Sequence, residues 1–243
     1  MVKKHIPNAL TLLNLLSGLI ALIFVFNDNI QLSFAFVCLG IFFDFWDGFA
    51  ARVLKVSSPL GLQLDSLADM VTSGVVPGLV MYKLLEGIQH NYEEYHVTDE
   101  LFFMKAVPYL GFIITLGSAM RLAKFNIDTR QTDSFIGLPT PANALFILSL
   151  PLVLNNPTFD WEFDALSNPY VLVAITFFSA FIMNAELPLF SLKTKNKNLS
   201  DNKVAILFLG LCALLLIILQ FEAIPLIIIF YILLSLILNK TKK

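Results

Sequence analysis

The chain has 243 residues, of which 57% are hydrophobic and only 14% are charged, and it contains 23 phenylalanines. Its mean hydropathy of +0.78 is too high for an ordinary soluble domain and predicts a membrane protein. The formal net charge is -2, without the excess of positive charge that is typical of proteins that bind nucleic acid, so we expect no nucleic-acid partner.

Apolar stretches of spanning or near-spanning length predict an all-α fold, a polytopic bundle of about eight transmembrane helices. The predicted helices lie near residues 8–26, 30–51, 60–85, 102–122, 139–155, 169–190, 204–220 and 223–239. No linker or internal repeat divides the chain. We therefore expect residues 1–243 to form a single membrane domain.

The distribution of basic residues predicts the topology. All but two of the 16 Lys and Arg residues fall at the termini or in even-numbered turns between helices, the exceptions being Lys83 and Lys105. Acidic residues concentrate instead at positions 86–100 and 160–164. Because short basic loops remain in the cytoplasm, both termini are predicted to be cytoplasmic, in a protein of the cytoplasmic (inner) membrane.

Four aspartates stand out because carboxylates are costly in such an apolar chain unless something binds them. Helical spacing places them with small residues on one face of each of two consecutive helices, in the order Asp44, Asp47, Gly48 and Ala51, then Gly61, Asp65 and Asp69. Opposed across a bend, these faces would form an all-oxygen cage for hard divalent cations such as Mg²⁺ or Mn²⁺. This arrangement predicts a phosphoryl-transfer centre, which faces the cytoplasm because Arg52 lies in the first cytoplasmic turn.

The turn between the two helices has features of a diphosphate-binding site. Ser58 is a suitable helix cap and Pro59 a suitable first helical residue, so the amide groups at the start of the third helix face the cage. Arg52 adds a planar cation for phosphate oxygens. Three positions leave clearance for a bulky anion: Gly48, Ala51 and Gly61.

The string DFWDGFAARVLKVSSPLGLQLDSLAD, residues 44–69, resembles the signature of the CDP-alcohol phosphatidyltransferase family. The resemblance implies that two divalent cations are held by the four aspartates and that Asp69 is also the general base. It further implies that the CDP-lipid is contacted by Gly48, Arg52 and Ser58, and by Asn8 and Thr11 in the first-helix segment 7–11.

Four further strings are similar to the branch of this family that uses L-serine as the acceptor. They are PNALTLLNLLSG (7–18), DSLADMVTSGVVP (65–77), RLAKFNID (121–128) and GLPTPANA (137–144). Arg121, Lys124 and Asn126 fall at the cytoplasmic end of the fourth predicted helix, level with the aspartates. They are our candidates for binding the acceptor, because an amino acid brings a carboxylate.

The expected function is transfer of a phosphatidyl group from CDP-diacylglycerol to the hydroxyl of L-serine, giving phosphatidylserine and CMP. An alternative keeps this chemistry with glycerol 3-phosphate or inositol phosphate as the acceptor. A different class, a cation transporter, would place its acidic residues at mid-membrane depth on several helices.

The resemblance also bears on domain organisation. It implies a six-helix catalytic core in residues 1–190, followed by two additional C-terminal transmembrane helices in residues 191–243. A homodimer is an expectation from the resemblance alone. Beyond the substrates, the expected partners are membrane lipids, whose anionic headgroups the lysines near residue 195 would meet.

Overall fold

The computed structural model describes residues 5–56, 58–95, 105–128, 136–189 and 203–240. These residues form ten α-helices and no named strand; the one β-contact among them is an isolated bridge between Ile136 and Pro188. The helices are α1 His5–Phe26, α2 Ile30–Leu54, α3 Pro59–Asp69, α4 Val76–Tyr95, α5 Phe112–Ile127, α6 Thr140–Asn155, α7 Asp160–Leu166, α8 Pro169–Asn184, α9 Lys203–Leu219 and α10 Ala223–Lys240.

Within the described residues, five helical segments are long and apolar enough to cross a membrane: His5–Phe26, Ile30–Leu54, Pro59–Ile88, Val107–Ile127 and Lys203–Leu238. A sixth is added if α7 and α8, which meet at an angle of 75°, count as one broken span. The part of the chain that the structure describes is thus an all-helical membrane protein. The predicted number of eight transmembrane helices is not confirmed.

The last of these segments folds back on itself between α9 and α10. Ring centroids of Phe208 and Phe230 are 6.1 Å apart, and those of Phe208 and Tyr231 are 5.7 Å apart. In a straight helix, residues 208 and 230 would lie about 33 Å apart. The turn contains Gln220 in the left-handed region, with a φ of 48°. The C-terminal segment is therefore a helical hairpin.

The hairpin is anchored to the rest of the molecule at its turn. Glu222, which is buried, accepts a hydrogen bond of 2.9 Å from the backbone N–H of Thr158, in the loop before α7. The ring of Phe221 meets the ring of Phe34 on α2 edge to face, at 5.6 Å between centroids. Further along α10, Ile228 and Ile232 join the buried hydrophobic core.

Helix α6 occupies the centre of the bundle although it has only 16 residues. At about 1.5 Å per residue it is about 24 Å long, shorter than the ~30 Å hydrocarbon core of a bilayer. Most of its residues are buried, including the polar Thr140, Asn143 and Ser149. Pro151 lies inside the helix without ending it. The short central helix is one reason why fewer helices than predicted reach spanning length.

The turn between α2 and α3 forms as the sequence predicts. Helix α2 ends at Lys55, whose left-handed backbone, with a φ of 55°, directs its N–H to the carbonyl groups of Ala51 and Arg52. Ser58 then begins α3: its Oγ accepts a hydrogen bond of 3.0 Å from the N–H of Gly61. The predicted cap at Ser58 with Pro59 in the first helical turn is confirmed.

A π-helical turn, Met70–Val75, joins α3 to α4 directly after Asp69. Such turns insert an extra residue into a helix and often occur at functional sites. Here the turn lets α3 direct its aspartates at the site while α4 continues through the core, where Val76, Val80 and Met81 are fully buried.

The ion pair between Lys83 and Asp28, at 3.3 Å, places the α1–α2 turn beside α4.

Much of the charge pattern behind the topology prediction lies outside the described residues, including Lys3, Lys4, Arg130 and the lysines near residue 195. The proposed domain boundary at residues 190 and 191 also lies outside them. The orientation of the termini therefore stays a prediction.

Candidate active site

The core of the site is a cluster of three aspartates from two helices. Asp44 and Asp47 on α2 and Asp65 on α3 each offer a carboxylate oxygen, and these oxygens all lie within 4.8 Å of one another. Asp47 is 6% exposed. The two predicted acidic faces therefore meet across the bend between α2 and α3.

The fourth predicted residue, Asp69, lies outside this close set but remains within electrostatic range of Asp44. Its Oδ1 accepts a hydrogen bond of 3.0 Å from Nδ2 of Asn14 on α1. Since Asp69 is followed directly by the π-helical turn, its backbone is set by that turn as well as by α3.

Helix α1 also contacts the three-aspartate cluster itself. The hydroxyl of Thr11 donates a hydrogen bond of 2.5 Å to Oδ2 of Asp47, and a second of 3.1 Å is possible to the carbonyl of Pro7 one turn earlier. A hydroxyl has one hydrogen, so the two acceptors share it or alternate. The short distance and the charge on Asp47 favour the carboxylate. The sequence predicts that Thr11 contacts the CDP-lipid. In the structure its hydroxyl also holds the carboxylate of Asp47 in one orientation.

A cavity of about 180 Å³ opens beside the cluster, between the start of α1 and the α2–α3 turn. Asp47 and Asp65 form one part of its wall. Six of the seven residues predicted to bind the CDP-lipid also line it: Asn8, Thr11, Gly48, Ala51, Ser58 and Gly61. The structure thus brings residues from three helices together around one space next to the carboxylates.

The seventh residue, Arg52, is exposed at the end of α2 and does not line the cavity. Its guanidinium lies over Gly48, one turn earlier, where a Cβ would be 3.8 Å from Nη1. Gly61 is more tightly placed, because a Cβ there would lie 3.2 Å from the Ser58 hydroxyl and 3.4 Å from Asn8 Oδ1. The absence of a side chain at Gly61 therefore leaves room between the α2–α3 turn and α1, whereas a Cβ at Gly48 would make only an ordinary contact with Arg52.

The donor set fits a hard divalent cation. Asp44, Asp47 and Asp65 supply only carboxylate oxygens, which suit Mg²⁺ or Mn²⁺ better than zinc. Several carboxylates held this close repel one another unless a cation or protons lie between them. The hydrogen bond from Thr11 to Asp47 is of the kind that orients a metal-binding carboxylate.

A second cavity, of about 360 Å³, lies at the C-terminal ends of α5 and α8. Two of the three predicted acceptor residues, Arg121 and Lys124, line it together with two acidic residues, Asp128 and Glu186. Its wall therefore carries charges of both signs.

The side chain of Arg121 is 6% exposed and is held by backbone groups. Its Nη1 donates to the carbonyl of Ile136 at 2.8 Å and to that of Met183, in the last turn of α8, at 2.9 Å. Gly137 beside it has a φ of 73°, and a Cβ there would lie 2.4 Å from the Met183 carbonyl. Arg121 thus joins α5, the segment before α6 and α8 at the wall of the cavity.

Asn126, the third predicted acceptor residue, does not line this cavity. Its amide instead exchanges hydrogen bonds of 2.9 and 3.1 Å with the hydroxyl of Ser66, the residue after Asp65. Asn126 therefore links the end of α5 to the helix that carries two of the aspartates.

Two polar residues at the site were missed by our sequence analysis, Asn14 and Ser66. A signal existed for Asn14, since a buried amide in a transmembrane helix needs a partner, and it follows Thr11 by one turn. Ser66 lies beside Asp65 within the signature string, but its partner on α5 is set by the tertiary structure alone.

Fold and site together define a helical membrane protein with a carboxylate centre of the kind that holds divalent cations. Comparison with known families gives the particular class: the CDP-alcohol phosphatidyltransferase profile matches residues 4–185. The chain belongs to this family, whose members are transferases of phospholipid biosynthesis. The family resemblance in the signature string is thereby confirmed.

Individual relatives carry a more specific name. The chain is 32% identical over 156 residues to the CDP-diacylglycerol–serine O-phosphatidyltransferase of Bacillus subtilis, an alignment that covers 63% of this chain and 78% of that protein. It is 33% identical over 151 residues to the enzyme of that name from Methanocaldococcus jannaschii, covering 62% of each. For the one from Saccharomyces cerevisiae the identity is 31% over 162 residues, covering 60% of this chain and 53% of the relative.

Proposed function

We propose that this chain transfers a phosphatidyl group from CDP-diacylglycerol to the hydroxyl of L-serine, giving phosphatidylserine and CMP. The observation that carries the proposal is the cavity beside the aspartates, because two carboxylates line the same space as four residues of the predicted diphosphate-binding site: Gly48, Ala51, Ser58 and Gly61. The names of the relatives from Bacillus subtilis and Methanocaldococcus jannaschii support serine as the acceptor.

The nucleotide diphosphate would occupy the cavity between α1 and the α2–α3 turn. There the start of α3 directs backbone N–H groups and the positive end of its dipole toward an anion. Arg52, on the neighbouring turn, would oppose the charge of the diphosphate. The acyl chains would remain among the apolar side chains of the surrounding membrane, where Leu12, Leu16 and Trp46 are exposed.

Asp44, Asp47, Asp65 and Asp69 would hold two divalent cations, Mg²⁺ or Mn²⁺. When bound, such ions stabilise the negative charge that develops on the phosphate oxygens. Asp69 accepts the proton of the serine hydroxyl as its oxygen attacks the phosphorus that carries the diacylglycerol. The bond from that phosphorus to the bridging oxygen breaks, and CMP leaves with the electron pair. Asp69 then returns its proton to solvent.

The charges at the second cavity favour an amino acid over a phosphorylated alcohol as the acceptor. Arg121 and Lys124 offer positive charge to a carboxylate, and Asp128 and Glu186 offer negative charge to an ammonium group. Glycerol 3-phosphate or inositol phosphate would instead bring about two negative charges against the two acids. Asn126 would act through Ser66 on α3 rather than on the acceptor.

A cation transporter is the less favoured function. Among the described residues, the one group of three or more acids that could hold a metal ion is the Asp44–Asp47–Asp65 cluster, on two consecutive helices. It lies beside a cavity whose other walls suit a diphosphate. A transport path would instead spread its acids over several helices.

The test offers purified protein CDP-diacylglycerol with serine, glycerol 3-phosphate or inositol phosphate, and measures CMP release and the lipid product. We expect CMP release that depends on serine, is lost with EDTA and is restored by Mg²⁺ or Mn²⁺. Turnover with glycerol 3-phosphate and none with serine would overturn the choice of acceptor. Metal flux into vesicles that contain no CDP-lipid would favour the transporter.

Three related proposals concern the whole molecule. Residues 1–190 form the catalytic core and residues 191–243 an added hairpin, a division supported by the family match, which ends at residue 185. The protein lies in the cytoplasmic membrane with the site facing the cytoplasm. A homodimer remains an expectation from the family resemblance.

A further inference from the structure

Asn14 is the most completely buried polar contact of the aspartate site. Its side chain is 0% exposed, and Nδ2 donates to Oδ1 of Asp69 at 3.0 Å. Asn14 lies one turn beyond Thr11, which donates to Asp47. Helix α1 therefore places two hydrogen-bond donors on two different carboxylates, although it contributes no acid itself.

The orientation of the Asn14 amide is determined by its surroundings. Its Oδ1 is buried and has no hydrogen-bond partner. This oxygen faces Gly40 on α2, where a Cβ would lie only 2.9 Å away. Turning the amide over would bring its oxygen against the Asp69 carboxylate, and two acceptors repel each other.

The segment after Asp69 is held in place by the same two helices. Thr72, in the π-helical turn, donates from its hydroxyl to the backbone carbonyl of Asn14 at 3.1 Å. A Cβ on Gly18 of α1 would lie 3.0 Å from the Cα of Thr72. A Cβ on Gly40 of α2 would lie 2.7 Å from its Cγ2. Thr72 thus occupies a gap that exists only because both neighbours are glycine.

We propose that Asn14 is a positioning residue for Asp69, and that the Gly18–Gly40 gap around Thr72 sets the backbone from which Asp69 extends. The proposal rests on the function proposed above, in which Asp69 is the base and a metal ligand. With Oδ1 bound by Asn14, the carboxylate is restricted in rotation. Its second oxygen then keeps one direction relative to the acceptor hydroxyl and the other aspartates.

The experiment compares the wild-type protein with Asn14→Leu, which has the same number of side-chain heavy atoms, branched at Cγ, and no donor. The kinetic readout is serine-dependent CMP release with kcat and both KM values. The second readout is Mn²⁺ binding, measured by electron paramagnetic resonance without substrates. We expect kcat to fall by about 10- to 100-fold, with KM values within about threefold and Mn²⁺ affinity reduced about tenfold, as for other partners of metal ligands.

Ser17→Ala is the matched control. Ser17 is also buried on α1, and its hydroxyl donates to the carbonyl of Leu13 in its own helix. We expect kcat and Mn²⁺ affinity within about twofold of wild type, because this bond orients no carboxylate. If Asn14→Leu fails to fold, as judged by thermal unfolding in detergent, the same measurements are made on Asn14→Ser, whose hydroxyl is too short to reach Asp69.

The result separates this inference from the proposed function. An unchanged kcat or an unchanged Mn²⁺ affinity in the Asn14 variant overturns the positioning role. So does an equal loss of kcat in Ser17→Ala. If the wild-type protein releases no CMP in response to serine, the proposed function fails instead.

Discussion

At the residue scale, the four aspartates of the site differ in their immediate surroundings. Asp44 and Asp65 lie close together on two helices, Asp47 accepts a hydrogen bond from Thr11, and Asp69 accepts one from Asn14. The first three are close enough to share ions, whereas Asp69 lies just outside them. This division agrees with the proposal that Asp69 handles the proton of the acceptor.

Replacing Asp69 by Asn tests the role of the base. Asn is almost the same size but cannot accept a proton at neutral pH. We expect CMP release to fall by about 10²-fold or more, while the protein still binds CDP-diacylglycerol. Both are measured on one preparation, by nucleotide release and by lipid binding. A variant that keeps wild-type turnover would remove Asp69 from the mechanism.

Thr11 offers a second test, because the bond to Asp47 needs only a hydroxyl. Thr11→Val keeps the shape of the side chain and removes the donor, so we expect a loss of about tenfold or more in kcat, with weaker Mn²⁺ binding. Thr11→Ser keeps the hydroxyl and is the control, with activity within about threefold of wild type. Equal activities of the two variants would show that the hydrogen bond is unimportant.

At the element scale, the site depends on helices that approach closely at glycine. Gly18 and Gly40 admit Thr72, and a second close approach occurs where α4 meets the short helical turn before α5. A Cβ on Gly111 would lie 2.5 Å from the backbone nitrogen of Tyr82, a contact that no rotation of a side chain can relieve. Small residues at such crossings are typical of membrane helices, since van der Waals packing drives their association.

Gly111→Ala should therefore destabilise the fold by about 1–3 kcal/mol, because the two backbones must move apart. Gly87→Ala is the matched control: no atom lies within 4 Å of its added Cβ, and alanine favours a helix by about 0.5–1 kcal/mol over glycine. Thermal unfolding in one detergent compares the two. If Gly111→Ala melted at the same temperature as Gly87→Ala or at a higher one, the two backbones would not cross as closely as the structure shows.

At the scale of the whole molecule, the acidic site lies between helices that are consecutive in sequence, and the C-terminal hairpin supplies neither the aspartates nor the two donors that contact them. Helices α1, α2 and α3 supply all four aspartates and the two donors that orient them. The hairpin contacts α2 and the loop before α7 through Phe221 and Glu222, and Ile228 and Ile232 of α10 pack into the core. This arrangement supports a catalytic unit to which the hairpin is added.

The orientation in the membrane is testable with reporter fusions. A fluorescent protein that folds only in the cytoplasm should be bright when fused to the C-terminus. Alkaline phosphatase, which needs export, should be active when fused after Asn156, in the loop before the acidic helix α7. A dark C-terminal fusion together with an inactive loop fusion would reverse the predicted topology.

The sequence by itself determined the parts of this protein that depend on local periodicity. Helical spacing in one segment was enough to predict the faces of Asp44, Asp47, Asp65 and Asp69, and cap chemistry was enough for the start of α3 at Ser58. Hydropathy was enough to predict a helical membrane protein, although the number of spanning helices depends on helix lengths that only the three-dimensional structure shows.

Only the tertiary structure decided which side chains meet from distant parts of the chain. Periodicity does not say that Asn14 reaches Asp69, that Thr11 serves Asp47, or that carbonyl groups from two segments hold Arg121. Nor does it reveal the π-helical turn at Met70–Val75, in which Thr72 fits between glycines on two other helices. Such contacts depend on how closely helices can approach, and that distance is a property of the packed bundle rather than of any one segment.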